Sequence, residues 1–316
     1  MKRIVLINCY YGTFPDYFPL FLRSCQENST IDFLIFTDNQ YNELPKNVKF
    51  IKSTFEDIRN IIQSKFKFKI TLDQPYKLCD YKPSYGYVFE EYIRKYDFWG
   101  YCDLDLIFGD LRKYLTEERL ENYDKLYQLG HLTLYKNNRE NNRRFMLDNS
   151  PSYKEAFTTK IITVFDETEG IQKIYSNRGI PVYLGRDYAD ITPKHFQFRL
   201  SDAFIEVPIV KNNYRHQMFV YEKGHVYRYY IKKGKILRDE FAYIHIQKRQ
   251  LPLEGENEDY YITNKGFISK KGCENVTADL IKEFNPYEPL EELKVVISHN
   301  LWRIHRKINK LKEHRK

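Results

Sequence analysis

Several features that would assign a class at once are missing from this 316-residue sequence. No stretch approaches 18 consecutive apolar residues, so no helix is expected to span a bilayer. The five cysteines, Cys9, Cys25, Cys79, Cys102 and Cys273, are odd in number and scattered, with no Cys-x-x-Cys pair. That spacing suggests neither a disulfide framework nor a zinc site, and reduced, mostly buried thiols fit it best. Zinc-finger, RNP and helix-turn-helix signatures are absent too, so the net charge of +8 does not point to nucleic acid. The opening Met1-Lys2-Arg3 and the short apolar run after it have the start of a secretion signal. Asn8, Tyr10, Tyr11 and Asp16 interrupt that run, and no small-residue cleavage site follows. It reads as a first strand of a cytoplasmic protein.

What is present is globular: 42% hydrophobic and 30% charged residues, on a chain long enough to bury a large core. The 28 Tyr and 22 Phe are many. Such an excess suits sugar-stacking clefts and equally accompanies an A/T-rich genome. Ile4 to Cys9 reads as a strand, Tyr17 to Gln26 as a helix and Ile31 to Phe36 as a second strand ending at Thr37-Asp38-Asn39. This is the opening of a parallel α/β sheet, whose ligands gather at strand carboxyl ends, where Tyr10 and Asp38 fall. Val48 to Ile51 is a third strand, Phe55 to Lys69 a helix, and Tyr87 to Lys95 a helix leading into the central segment.

That segment, Tyr96 to Leu111, is an apolar and aromatic run interrupted by Asp103 and Asp105. Alternation along a strand sends residues i and i+2 to one face, so both carboxylates are expected in one space with Leu104 in the core. Two negative charges that close require a counter-cation, which predicts Mn2+ or Mg2+ on oxygen ligands. The alternative is a strand end running into a solvated turn. Further on, Leu111 to Asn122 reads as an amphipathic helix and Leu126 to Tyr135 as a strand containing Gly130-His131. Ile161 to Phe165 is another apolar run ending in Asp166-Glu167.

An Asp-x-Asp closing a core strand after a Rossmann-like start looks like the metal site of GT-A glycosyltransferases. Phe98-Trp99-Gly100-Tyr101-Cys102-Asp103-Leu104-Asp105-Leu106-Ile107-Phe108-Gly109-Asp110 resembles, more narrowly, a group of bacterial surface-polysaccharide glycosyltransferases, over about Lys2 to Arg249. The resemblance implies a GT-A-like, Rossmann-type mixed sheet flanked by helices in residues 1–285. The nucleotide-binding half would be about 1–112 and the acceptor half about 113–285. It implies a nucleotide-sugar donor, with uridine diphosphate as the default, and a glycan or lipid-linked glycan acceptor. Asp38 would contact base or ribose, Lys77 and Lys82 phosphate or sugar, Asp80 a sugar hydroxyl or a lysine, and His131 the donor sugar. A carboxylate in an acidic motif downstream of Asp-x-Asp serves as base in inverting members, and Asp166-Glu167 sits where one is expected. His245, at the end of Ala242-Tyr243-Ile244-His245, would complete the metal shell, while Lys248 and Arg249 would neutralise the diphosphate. For each of these residues a structural role, as a cap, ion pair or buried histidine, is the competing expectation.

Late in the chain, the alternating segment Ile205 to Ile246 breaks at Lys223-Gly224 and Lys233-Gly234, the mark of antiparallel hairpins. After Pro286 and Pro289, Leu290, Leu293, Ile297, Leu301, Ile304, Ile308 and Leu311 share one helical face. Eight Lys and Arg against three Glu give residues 290–316 a net +5 of the chain's +8. This C-terminal amphipathic helix, residues 286–316, is suited to an anionic membrane surface on the inner face of the cell, to packing on the domain or to a homodimer. Besides a metal-dependent glycosyltransferase, the sequence allows a non-catalytic nucleotide-sugar-binding or scaffold subunit. A sugar-1-phosphate nucleotidyltransferase fits less well, because Gly12 stands alone where a glycine-rich phosphate loop belongs.

Overall fold

The computed structural model describes residues 1–193, 197–201, 212–247, 249–255, 258–270 and 275–290, with residues 293, 294 and 297 beyond. Lys248, Cys273 and most of the C-terminal segment lie outside the described residues. In chain order the strands are β1 (Ile4–Cys9), β2 (Ile31–Thr37), β3 (Val48–Lys52), β4 (Phe98–Cys102), β5 (Leu106–Phe108), β6 (Lys125–Leu126), β7 (Leu132–Lys136), β8 (Val182–Tyr183) and β9 (Ala189–Asp190). They continue with β10 (Gln217–Glu222), β11 (His225–Lys232), β12 (Lys235–Phe241), β13 (Tyr243–His245), β14 (Leu253–Glu254), β15 (Tyr260–Thr263) and β16 (Gly266–Ser269). Two ten-residue helices, α1 (Phe18–Glu27) and α2 (Phe55–Ser64), flank the first strands.

The main sheet runs β3-β2-β1-β4-β7-β6-β8, a mixed sheet with a Rossmann-type parallel start. Strand β1 pairs in parallel with β2 on one side and β4 on the other, while β7 is antiparallel to β4. Both faces are buried. Ile4 and Leu6 join the apolar cluster containing Phe18 and Phe21 of α1, and Val5 and Ile7 join the one containing Ile58 and Ile62 of α2. This is the period of two expected of a strand covered on both sides. Gly100, at the centre of β4, lets the sheet close up, since a Cβ there would lie 2.4 Å from the Thr133 carbonyl oxygen. Thr54 caps α2 by accepting the Asp57 amide while Asp57 reaches back to the Thr54 amide, a reciprocal cap of about 1 kcal/mol.

A second sheet, β12-β11-β10-β15-β16-β14, holds the late hairpins. Their turns are Lys223-Gly224 (φ 50° and 79°) and Lys233-Gly234 (φ 50° and 74°). Positive φ at both central residues is the tight hairpin geometry whose twist matches the flanking strands. A third, small sheet, β5-β13-β9, sits beside the carboxyl end of β4.

Some elements depart from their expected form. The segment after Cys102 is not one continuous strand: Asp103 to Asp105 form a break between β4 and β5, which pair with different sheets. Gly130-His131 likewise lies in the turn before β7. Leu111 to Asn122 divides into a short turn at Leu111–Lys113 and a helix at Glu117–Asn122, because Thr116 caps a new start by accepting the Arg119 amide. Ile161 to Phe165 is a loop, held by side-chain contacts described below. Among the described residues no helix is long and apolar enough to cross a membrane. Where the C-terminal segment is described, Leu290, Leu293 and Ile297 are exposed.

Candidate functional site

The break between β4 and β5 places Asp103 and Asp105 at the carboxyl end of a central strand, with Leu104 between them in the core at 4% exposure. Backbone contacts fix the turn. The Asp103 amide donates to the His131 carbonyl at 2.9 Å, Ile246 donates to the Asp105 carbonyl at 2.9 Å, and Asn8 Nδ2 donates to the Cys102 carbonyl at 2.5 Å. Strand β13 runs antiparallel to β5 with His245 opposite Leu106, which brings the imidazole back to the aspartates. One ligand atom each from Asp103, Asp105 and His245 lies within 4.8 Å of the other two.

His245 is fixed from both sides. Its Nδ1 is 2.8 Å from Asp190 Oδ1 and its Nε2 is 3.4 Å from Asp105 Oδ1, and Gln247 Nε2 donates to the same Asp190 oxygen at 2.6 Å. Burial alone would push the imidazole pKa down, but the Asp105 and Asp190 carboxylates outweigh it and raise it to about 10. Asp190 is itself pushed up by burial and, more strongly, pulled below the usual carboxylate range by His245. His131 packs against His245 with ring centroids 4.5 Å apart, and its Nδ1 is 3.0 Å from the Tyr243 hydroxyl. Burial, with His245 beside it, lowers the His131 pKa to about 3, so this ring is neutral.

On the other side stands Lys82. Its Nζ is 2.7 Å from Asp103 Oδ1, 3.4 Å from Asp166 Oδ2 and 2.8 Å from the Gly130 carbonyl oxygen, and it lies 5.5 Å from the centre of the Tyr101 ring. Burial opposes its charge, but Asp103 and Asp166 hold the ammonium well above the ordinary lysine value. The two acidic neighbours of the 160s loop differ. Asp166 is buried at 3% exposure and packs so closely that a Cβ on Gly130 would meet its Oδ2 at 2.2 Å. Burial, only partly offset by Lys82, raises its pKa to about 7. Glu167 is half-buried; burial raises its pKa, opposed by a hydrogen bond from the Gly130 backbone and by the charge of Lys82.

Lys77 and Asp80 face inward, and Asp80 holds a lysine as one of its expected roles required. They form a buried ion pair at 2.5 Å, with exposures of 1% and 0%. Lys77 Nζ also donates to the Ala156 and Ile161 carbonyls, at 2.9 and 2.5 Å. Asp80 accepts from the Thr163 amide, the Thr163 hydroxyl and the Phe165 amide at 3.0, 3.0 and 2.9 Å. The pair therefore anchors the loop that carries Asp166 and Glu167.

Tyr10 is half-buried, donates its hydroxyl to the Thr13 carbonyl at 2.7 Å and stacks on Phe14. Burial and the charge of Asp105 raise its phenol, which places it by the aspartates. Asp38 is exposed beyond β2, on a loop tied to that of β1 by Asn39 Nδ2 donating to the Gly12 carbonyl at 2.8 Å. Arg249 donates to the Thr192 carbonyl at 2.6 Å and lies over the Phe198 ring. Asp190 and Gln247 were not expected in the site. Strand β9 is only two residues long, too short to leave a periodic trace in the sequence.

The family model that matches residues 6–271 is described as a family of unknown function, DUF6625. The chain belongs to that family. No curated protein matches this DUF6625 chain in sequence. Among solved structures it is similar to galactosyltransferase LgtC in complex with donor and acceptor sugar analogues, at 11% identity and a TM-score of 0.35, over 60% of this chain and 76% of that one.

Proposed function

We propose that this DUF6625 chain is a divalent-cation-dependent glycosyltransferase that moves a sugar from a nucleotide-sugar donor, by default a uridine diphosphate sugar, to a bacterial surface glycan or lipid-linked glycan. The observation that carries this reading is the convergence of Asp103, Asp105 and His245 within 4.8 Å at the carboxyl end of β4, beside the loops after β1 and β2. Ligands of open α/β sheets bind at that edge.

The donor set fits a hard or borderline ion: two carboxylates and one imidazole, with Asp190 holding the second ring nitrogen as partners of metal-bound histidines do. A Mn2+ or Mg2+ held there supplies positive charge to a departing diphosphate. Lys82 is a second cation at the same place, already fixed between Asp103 and Asp166. Tyr10 and Asp38 are assigned to the nucleoside, and Lys248 and Arg249 to the leaving diphosphate. Between the acidic neighbours, Glu167 is the better base, because Asp166 is sealed from solvent and engaged with Lys82. His131 packs against His245. Lys77 and Asp80 act through the loop they hold.

The burial of Asp166 also suits a non-catalytic nucleotide-sugar-binding subunit, which would need no exposed base. Calorimetric titration of UDP with Mn2+ tests the shared part: Asp105→Asn should abolish metal-dependent binding without unfolding the protein, and unchanged affinity would sink the metal assignment. Nucleotide binding that persists in Asp166→Asn and Glu167→Gln with unchanged cellular glycan, and no hydrolysis of any of a donor panel by the parent, would move the balance to the binding-subunit reading. For residues 286–316 we propose a peripheral membrane role, from the net +5 of residues 290–316 and the exposed Leu290, Leu293 and Ile297.

A further inference from the structure

Beside the aspartate pair lies a second candidate set of ligands, which shares His245 with the first. His131, Asp190 and His245 each offer one ligand atom within 4.8 Å of the others. His131 is 5% exposed, and its Nε2 is buried with no hydrogen-bond partner among the described residues, although a buried ring nitrogen without one is costly. Its other nitrogen, Nδ1, is held by the Tyr243 hydroxyl at 3.0 Å. A hydrogen bond that fixes one imidazole nitrogen and leaves the other aimed inward is the arrangement that prepares a histidine for a metal.

We propose that His131, Asp190 and His245 form a second cation site, selective for borderline ions of the Zn2+ class, and that its occupation excludes an ion from Asp103, Asp105 and His245. Two imidazoles and one carboxylate are a zinc-type set, whereas two carboxylates and one imidazole suit Mn2+ or Mg2+. The exclusion follows from His245. A neutral imidazole has one lone pair to give. With Nε2 committed towards Asp105, Nδ1 carries the proton shared with Asp190. With Nδ1 committed to an ion beside Asp190 and His131, Nε2 carries the proton and faces Asp105. Asp190 and Asp105 thus exchange the roles of ligand and supporting partner. The site shares His245 with the proposed function but needs no sugar transfer.

Zn2+ binding to the full chain, followed by calorimetry and by the visible absorption of Co2+ in its place, tests this without any activity assay. Zn2+ should bind Asp103→Asn as it binds the parent, and at least about tenfold more weakly to His131→Gln. Should His131→Gln lose its fold, as its metal-free melting would reveal, Tyr243→Phe should show the same weakening. Zn2+ should also displace Mn2+ from the parent at concentrations that leave Mn2+ bound in His131→Gln. Zn2+ affinity within twofold of the parent in a folded His131→Gln, or lost in Asp103→Asn alone, would overturn the inference. Failure of the parent to bind Mn2+ while it binds Zn2+ would instead count against the reading of Asp103 and Asp105.

Discussion

Replacing Asp80 by Asn would leave the Lys77 ammonium buried without its counter-charge and present an amide group to donors that now meet a carboxylate. The carboxylate accepts four hydrogen bonds, from Lys77 Nζ, the Thr163 amide and hydroxyl and the Phe165 amide. An isosteric amide cannot accept all four. Breaking a buried ion pair by removing one partner costs about 3–5 kcal/mol. With an unfolding entropy of about 2.1 cal/mol/K per residue, a chain of 316 residues loses roughly 0.66 kcal/mol per degree at its midpoint, so Tm should fall by about 5–8 °C. Because the lost bonds are those of the 160s loop, limited proteolysis should also reach residues 159–165 sooner than in the parent. Adding Lys77→Met should restore part of the loss by removing the stranded charge. Differential scanning calorimetry of the single and double variants gives the answer. A fall below about 2 °C for Asp80→Asn, or a double variant less stable than the sum of the singles, would refute the assignment of this pair as the loop's anchor.

Lys82 neutralises Asp103 from within, so Lys82→Gln should bind Mn2+ alone several-fold more tightly while binding UDP more weakly; calorimetry showing both affinities falling together would contradict this. For Asp166 the sign follows from its raised pKa. The folded protein keeps that proton up to about pH 7, where the unfolded chain has lost it from about 3.8, so stability present at low pH is lost as pH rises between those values. Asp166→Asn carries no such charge and should gain stability relative to the parent from about pH 4 to about pH 7; melting curves in which the variant loses ground as pH rises would exclude this. Truncation after Pro289 should leave donor hydrolysis intact and reduce sedimentation with anionic vesicles at low salt, an attraction that fades as the Debye length shrinks to about 3 Å at 1 M. Aggregation of the truncated chain, with no vesicle binding by the parent, would make the segment a packing element instead.

The periodic parts of this fold were legible. Strands β1, β2 and β3 lie within a residue of their expected ends, and both glycine-centred hairpin turns fall where Lys223-Gly224 and Lys233-Gly234 placed them. Asp103, Asp105 and His245, read from a motif and a strand end, are brought together. What stayed hidden depends on partners far away in the chain. Lys77 and Asp80, three residues apart, have the pattern of a solvated helical pair, and only the return of residues 156–165 buries them. Asp190 gives no periodic signal from a two-residue strand. The apolar run at 161–165 carries no sign in the sequence that Asp80, and not a neighbouring strand, takes the Thr163 and Phe165 amides.

The pairing of β13 with β5 has a consequence for how the protein is made. The first four strands and β7 are complete once the chain has reached residue 136, and they can pair with one another without a later strand between them. The ligand cluster cannot, because its imidazole arrives on a strand that emerges only after the hairpins of β10 to β12. On a ribosome, an ion needing all three side chains would find its place late, after a long stretch of non-local assembly that is slow to form. Metal capture would thus be a marker of maturation, separating finished molecules from those whose early sheet has formed but whose later strands have not yet docked.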